Sequence, residues 1–470
     1  MKAKALFISG LILSAFGLSL ILYGNMPAVN QLWEKLTPQH IELSTLPPEE
    51  KLFISGETTG VGTYIVELTA PLKMASIQQE RISVQLQSLG ATIHRRYATT
   101  VNAMTITIDR SKIMDVASML EVKRIYEDKP IAKIPIEVAD TTNSIATFSI
   151  GEGIHEDGYT GKGVMIFVID TGINGDLPQL QRNGESVVKV SYSTYDANYT
   201  HWHGTFIAAE IASQDPQLGI GVAPDADLGS ICCFDYSGEA WISDILEATD
   251  YVATWHRTHP NTFIVVSCSF GISQAYWHCG GWSDPCIICE AFNSLVSMGI
   301  PVVVAAGNNG PHNDINCPGQ AQHVLTVGAV DANKEIAWFS SRGPTTDGNQ
   351  KPDVVAYGVN IKSIDTEGNT IVASGTSFST PLVAGVIACL GQKYGYSYSP
   401  EQYYDAVRKS AEDLGAPGVD YEYGWGFVNA SSAFTAMESM IPQEVYYKIG
   451  VPIFCVGIVM TTAPIWKRRR

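Results

Sequence analysis

Ser377 lies in Gly375-Thr376-Ser377-Phe378-Ser379-Thr380-Pro381, at the head of an apolar, helix-like run over residues 382–390. A hydroxyl at a helix start feels the positive end of the dipole, which favours a developing oxyanion. Pro381 suits a first helical turn, and Gly375 removes a Cβ where a substrate backbone could approach. An ordinary capping box accounts for the same residues without chemistry. Two further segments supply what such a serine needs. Residues 164–169 form a continuous apolar run, as expected of a parallel strand buried on both faces, and it ends in Asp170-Thr171-Gly172. That places a carboxylate at the carboxyl end of a strand, where open α/β sheets keep their sites. His203-Gly204-Thr205 then opens a small-residue helix over 206–212. A serine hydroxyl is barely ionised at neutral pH and needs a base, and the imidazole in turn needs an orienting carboxylate.

The three segments resemble the active-site signatures of the subtilisin-like serine proteases, the subtilases, in the order Asp, His, Ser characteristic of subtilisin. The resemblance runs from about residue 158 to 433. It includes Gly221-Val222-Ala223-Pro224, Ser267-Cys268-Ser269-Phe270-Gly271, Ala305-Ala306-Gly307-Asn308, Phe339-Ser340-Ser341-Arg342-Gly343-Pro344 and Gly424-Trp425-Gly426. It implies Ser377 as nucleophile, His203 as base, Asp170 as its orienting partner and Asn308 as oxyanion donor beside the Ser377 amide. Asn308 beside glycine also fits a turn residue satisfying local backbone. By the same resemblance, peptide or protein substrate lies extended against Ser269, Phe270 and Gly271, pairing as an added strand. The primary specificity pocket then falls between that edge, Ala305, Ala306 and Gly307, with Asn316 near its floor. No acidic residue is expected there, so the expected preference is apolar or broad.

The departures from the family pattern are Phe206, where a second histidine is common, Leu382, where a histidine often follows the proline, and Tyr357 in place of proline. Gln179 stands where a calcium-binding aspartate is frequent, and residues 214–219 are short for that site's loop. Calcium needs six or more oxygen ligands, so the usual high-affinity site is expected to be absent; catalysis itself requires no cofactor and no metal ligand is assigned.

From residue 158 onward, apolar strands (263–266, 302–305, 324–327) alternate with helices (242–255, 290–298). This succession predicts a subtilisin-like α/β fold over 151–440, a mostly parallel sheet with helices on both faces. Upstream, residues 61–133 read strand, helix, strand, strand, helix, strand, the ferredoxin-like α+β order. In front of a subtilase domain that unit resembles the family's inhibitory propeptide, an intramolecular partner whose tail occupies the cleft. Residues 28–60 read as linker, and 134–150 as the processing linker that carries the maturation cut.

Lys2 and Lys4 precede an apolar run over 5–23, so residues 1–27 are either a cleaved signal peptide or an uncleaved membrane anchor. Residues 447–466 read as a C-terminal transmembrane segment and 467–470, Lys-Arg-Arg-Arg, as a cytoplasmic tail. Together these place the chain at the cell membrane, with the catalytic domain extracytoplasmic. A net charge of −17 over 470 residues argues against nucleic acid as a partner.

Of nine cysteines, Cys279, Cys286, Cys289 and Cys317 concentrate in an insert after the substrate edge and beside the pocket. With His278 they could form a zinc site, and Cys286-Ile287-Ile288-Cys289 has ligand-like spacing. An extracytoplasmic location favours disulfides instead, with Cys279–Cys286 and Cys289–Cys317 the preferred pairing. Two other functions compete: a sedolisin-type peptidase, which uses glutamate as base and is opposed by His203-Gly204-Thr205, and a degenerate subtilase domain acting as a surface binding module, opposed by the intact triad.

Overall fold

The computed structural model describes residues 46–54, 60–134, 150, 152–195, 201–274, 277, 279–282, 284–311 and 314–440. The N-terminal unit runs β1 (Val61–Leu68), α1 (Ala75–Ser88), β2 (Thr92–Tyr97), β3 (Ala103–Asp109), α2 (Ile113–Ala117) and β4 (Val122–Glu127). These strands pair antiparallel in the order β4-β1-β3-β2, the ferredoxin-like arrangement that the sequence predicts. A short strand, Leu52–Phe53, adds in parallel to the outer edge of β4. Part of the stretch expected to be linker is therefore structured.

Strand β1 explains how this unit is held. Side chains alternate across a sheet, so Tyr64, Val66 and Leu68 face a core shared with Ile82 and Leu86 of α1 and Val116 of α2. Ile65 points the other way and joins Tyr97, Ala103 and Tyr126 in a second core that continues into the larger unit.

After β4, strand β5 (Pro130–Lys133) leads away towards the larger unit. That unit holds β6 (Met165–Asp170), β7 (Val188–Ser193), α3 (Trp202–Ala212), β8 (Asp227–Cys232), β9 (Glu239–Trp241) and α4 (Ile242–Thr258). It continues with β10 (Ile264–Cys268), α5 (Ile287–Ser297), β11 (Val302–Ala305), β12 (Leu325–Val330), β13 (Val354–Tyr357) and α6 (Thr376–Tyr394). Seven strands lie in the order β7-β8-β6-β10-β11-β12-β13, every pair parallel. Helices cover both faces: α3 and α6 pack in one core, α4 and α5 in the other. From β6 the chain runs out to β7, returns through β8, and then builds the sheet on the opposite side from β10. Asp170 thus ends the strand at which the winding reverses, the place where such sheets form crevices.

Helix α6 begins at Thr376, with Gly375 as its N-cap, so Pro381 lies in its second turn and not in its first as the sequence suggests. Pro381 therefore sits inside the helix and brings no N–H for the Ser377 carbonyl. No helix among the described residues is long and apolar enough to cross a membrane. The two expected terminal membrane segments, 1–27 and 447–466, and nearly all of the expected processing linker lie outside the described residues.

Candidate active site

Each of the three expected reactive side chains is carried by a buried element of the larger unit. Asp170 closes β6, all of whose residues are buried. His203 lies in the first turn of α3, a helix rich in small and apolar residues that is almost wholly buried. His203 Nδ1 lies 2.9 and 3.0 Å from the two Asp170 carboxylate oxygens. The Asp170 Oδ1 atom also accepts the Thr171 N–H at 2.7 Å, which holds the carboxylate against the ring. On the far side of the ring, His203 Nε2 is buried without a hydrogen-bond partner among the described residues. An imidazole fixed at one nitrogen and unpaired at the other can take a proton from a neighbouring group.

Ser377 is the second residue of α6, so its amide is among those with no intrahelical acceptor. The adjacent Phe378 ring lies 5.5 Å from that of His203 and 4.5 Å from that of Phe206, centroid to centroid. Phe206, one of the departures from the family pattern, therefore packs behind the serine turn. Leu382 is fully buried, and the Tyr357 ring packs tilted against Phe427, 4.7 Å between centroids.

Asn308 is oriented by α6 itself. Its Oδ1 accepts both the Thr376 N–H and the Thr376 hydroxyl at 2.9 Å. Two donors on one side of the amide fix which end is oxygen and leave Nδ2 as a donor close to the serine turn. A Cβ at Gly375 would stand 3.3 Å from that nitrogen. Gly307 has φ +111°, and a side chain there would collide with Asn316, so glycine is required.

A cavity of about 470 Å³ opens beside Ser377 and Asn308. Ser269, Phe270, Gly271, Ala305, Gly307, Asn308, Asn316 and Ser377 line it. Ala306 does not; its carbonyl instead accepts the Asn316 N–H at 2.8 Å. Two acidic residues stand nearer than expected. Glu239 lines the cavity, and Asp314 accepts from Ser273 Oγ at 3.0 Å and Asn309 Nδ2 at 2.8 Å, both residues of its wall. Gln179, at the position linked to calcium, donates through Nε2 to the Gly368 carbonyl at 3.3 Å and accepts the Gln214 N–H on its own carbonyl.

The opposite wall of the cleft is the tail of the N-terminal unit, where the family resemblance puts it, paired to a strand that no sequence pattern marks. Strand β9 pairs antiparallel with β5, Lys133 facing Glu239 and Ala132 facing Ala240. The Ile134 N–H continues the ladder to the Gly238 carbonyl at 2.9 Å, and Pro130, Ile131, Ala132 and Ile134 line the cavity. Strands of three and four residues with no periodicity of their own leave no signal, since the pairing joins residues about a hundred positions apart. Main-chain pairing in the cleft is thus made to β9, while Ser269–Gly271 face the same cavity.

The four candidate cysteines do converge, but no disulfide joins them. Sulfur contacts are 3.5 Å for Cys279–Cys289 and 3.3 Å for both Cys286–Cys317 and Cys289–Cys317. These distances do not divide the cluster into the expected pairs. His278, the further ligand considered in the sequence, lies outside the described residues.

Residues 161–426 match the subtilase family. The chain is 33% identical over 343 residues to serine protease AprX of Bacillus subtilis, an alignment covering 66% of this chain and 74% of that protein. It is 33% identical over 280 residues to subtilisin Savinase of Lederbergia lenta, covering 59% of this chain and 93% of the other. In structure it is similar to fervidolysin of Fervidobacterium pennivorans, with a TM-score of 0.61 at 20% identity, over 82% of this chain and 62% of that one. The last likeness speaks for the fold, and the family match with the sequence relatives for the chemistry. The chain belongs to the subtilase family and is a subtilisin-like serine endopeptidase.

Proposed function

We propose that the peptidase acts through Asp170, His203 and Ser377, with Asn308 as oxyanion donor, and that residues 61–133 are its inhibitory pro-segment. The observation that carries the first part is the His203 ring, bonded through Nδ1 to Asp170 and unpaired at Nε2 beside the α6 N-terminus. Ser377 Oγ attacks the scissile carbonyl while His203 Nε2 takes its proton. Asp170 holds the ring and stabilises the imidazolium without accepting the proton. The tetrahedral oxyanion is met by Asn308 Nδ2 and the Ser377 N–H. His203 returns the proton to the leaving amine, and water then resolves the acyl-enzyme. No step calls for a cofactor. A serine-directed fluorophosphonate should label Ser377 alone; labelling elsewhere, or none in a folded and processed chain, would reject the assignment.

The pro-segment reading rests on the tail, Pro130–Ile134, which occupies the cleft as a strand added to β9. The maturation cut is assigned to 134–150. Asp314 is already engaged by Ser273 and Asn309. The pocket preference is accordingly proposed to be apolar or broad. The apolar segments at 1–27 and 447–466 support a membrane-anchored enzyme with its catalytic domain outside the cell. A tag after Arg470 that is digested by external protease on intact cells would contradict this topology.

A further inference from the structure

Outside the active site, the densest set of reactive side chains is the buried quartet Cys279, Cys286, Cys289 and Cys317. All four sulfurs lie within 4.8 Å of one another, and each residue is at most 4% exposed. A disulfide requires sulfurs about 2.05 Å apart in exclusive pairs. Here Cys289 is shared, with Cys279 on one side and Cys317 on the other. A tetrahedron of thiolates around one ion with metal–sulfur bonds of about 2.3 Å has edges of about 3.8 Å. The shortest observed contacts, 3.3 and 3.5 Å, approach that edge.

The backbone around the sulfurs suits thiolates. Cys286 is the N-cap of α5, and its Sγ accepts the Cys289 N–H at 3.5 Å. Two sulfurs therefore sit at the positive end of a helix, which favours the anionic form. The Cys279 N–H is bound by the Gln274 side chain at 3.1 Å, fixing the third position. Cys317 is held by reciprocal backbone bonds to Ile272 at 2.8 and 3.0 Å.

We propose that these four cysteines form a closed, structural zinc-tetrathiolate centre. Binding releases the thiol protons to solvent and changes no oxidation state. Four sulfur ligands with no open position suit structural zinc. The centre clamps the insert to the rear of the pocket, since Cys317 adjoins Asn316 and Ile272 follows Gly271.

The test uses the full-length Ser377→Ala chain, which cannot digest itself, purified without added metal. Elemental analysis should find about one zinc per chain. The four cysteines should resist alkylation until a chelator removes the ion, and cadmium exchange should give thiolate-to-metal charge-transfer absorption. Cys286→Ser combined with Cys289→Ser should lose the zinc, whereas Cys232→Ser, outside the cluster, should keep it. Should the double variant misfold, the stoichiometry and thiol protection of the Ser377→Ala chain still decide. Two disulfides in unreduced peptides, four freely alkylated thiols without metal, or iron at these sulfurs would each overturn the proposal.

Discussion

The two faces of the small N-terminal sheet are built from the same strands and held in different ways. One is sealed by α1 and α2 through an apolar core of Tyr64, Val66, Ile106 and their neighbours. The other, against the larger unit, mixes apolar contact with charge. Lys123 bridges Glu67 and Glu290, Arg124 reaches Asp284 and the Pro285 carbonyl, and Arg95 pairs with Asp244 and Glu247. Asp250 Oδ1 accepts the N–H groups of Thr99 and Thr100 at 2.9 Å. An apolar face holds wherever water is excluded, whereas a charged face answers to pH, salt and the loss of single partners.

The strongest test of this difference is to prevent separation altogether. Ser377→Ala should abolish peptide hydrolysis and leave the purified chain uncut, with both faces of the sheet still covered, as intact mass will read. Asn308→Ala should fold normally, bind substrate almost unchanged and lower kcat by roughly 10²–10³, a magnitude carried over from subtilisin rather than obtained from this chain. A loss below about threefold would remove Asn308 from the oxyanion role.

A smaller effect separates the two faces directly. With residues 61–133 supplied in trans as an inhibitor, Asp250→Ala in the larger unit should weaken inhibition by about tenfold to a hundredfold, the range for hydrogen bonds to a charged group. Val66→Ala, on the apolar face, should instead lower the melting temperature of the small unit itself. Equal effects of both on melting would erase the distinction.

The smallest effect concerns pH. Glu290 is pushed up to about 7 by burial and by Glu67 beside it, against the pull of Lys123. Arg124 Nη1 lies 3.9 Å away. Docking therefore takes up a proton: this contribution is fully present below the ordinary carboxylate value of 4.5 and is lost as pH rises through about 7. The inhibition constant should worsen as pH rises from 5 to 7.5, and Glu290→Gln should flatten that slope.

Residues 302–305 were legible to the residue as a strand, and Asp170 as the end of another, because buried parallel strands impose a strict apolar composition. The ferredoxin-like unit was legible through period-two alternation in β3 and the helical spacing of Ile82 and Leu86 in α1. The β5–β9 ladder was not, since edge pairing is decided by a distant partner and not by either segment's own pattern. Nor was the true start of α6, because Pro381 reads as a first-turn residue whether the helix begins there or a turn earlier. Sulfur geometry at Cys279–Cys317 lies further still from the sequence, where spacing alone allows disulfides and zinc alike.

Strand β5 is joined to the catalytic unit through the chain between Ile134 and Ile150. On the proposed pro-segment reading, the tail competes for the cleft at an effective concentration of about millimolar while that connection is whole, whatever the dilution of the enzyme. Cutting it removes no contact seen in the cleft, yet it turns the same ladder into an ordinary bimolecular complex. Occupancy then follows the total concentration of freed segments. Crowded molecules silence one another, and dispersed ones become active, so the lag before full activity should lengthen as the enzyme is made more concentrated.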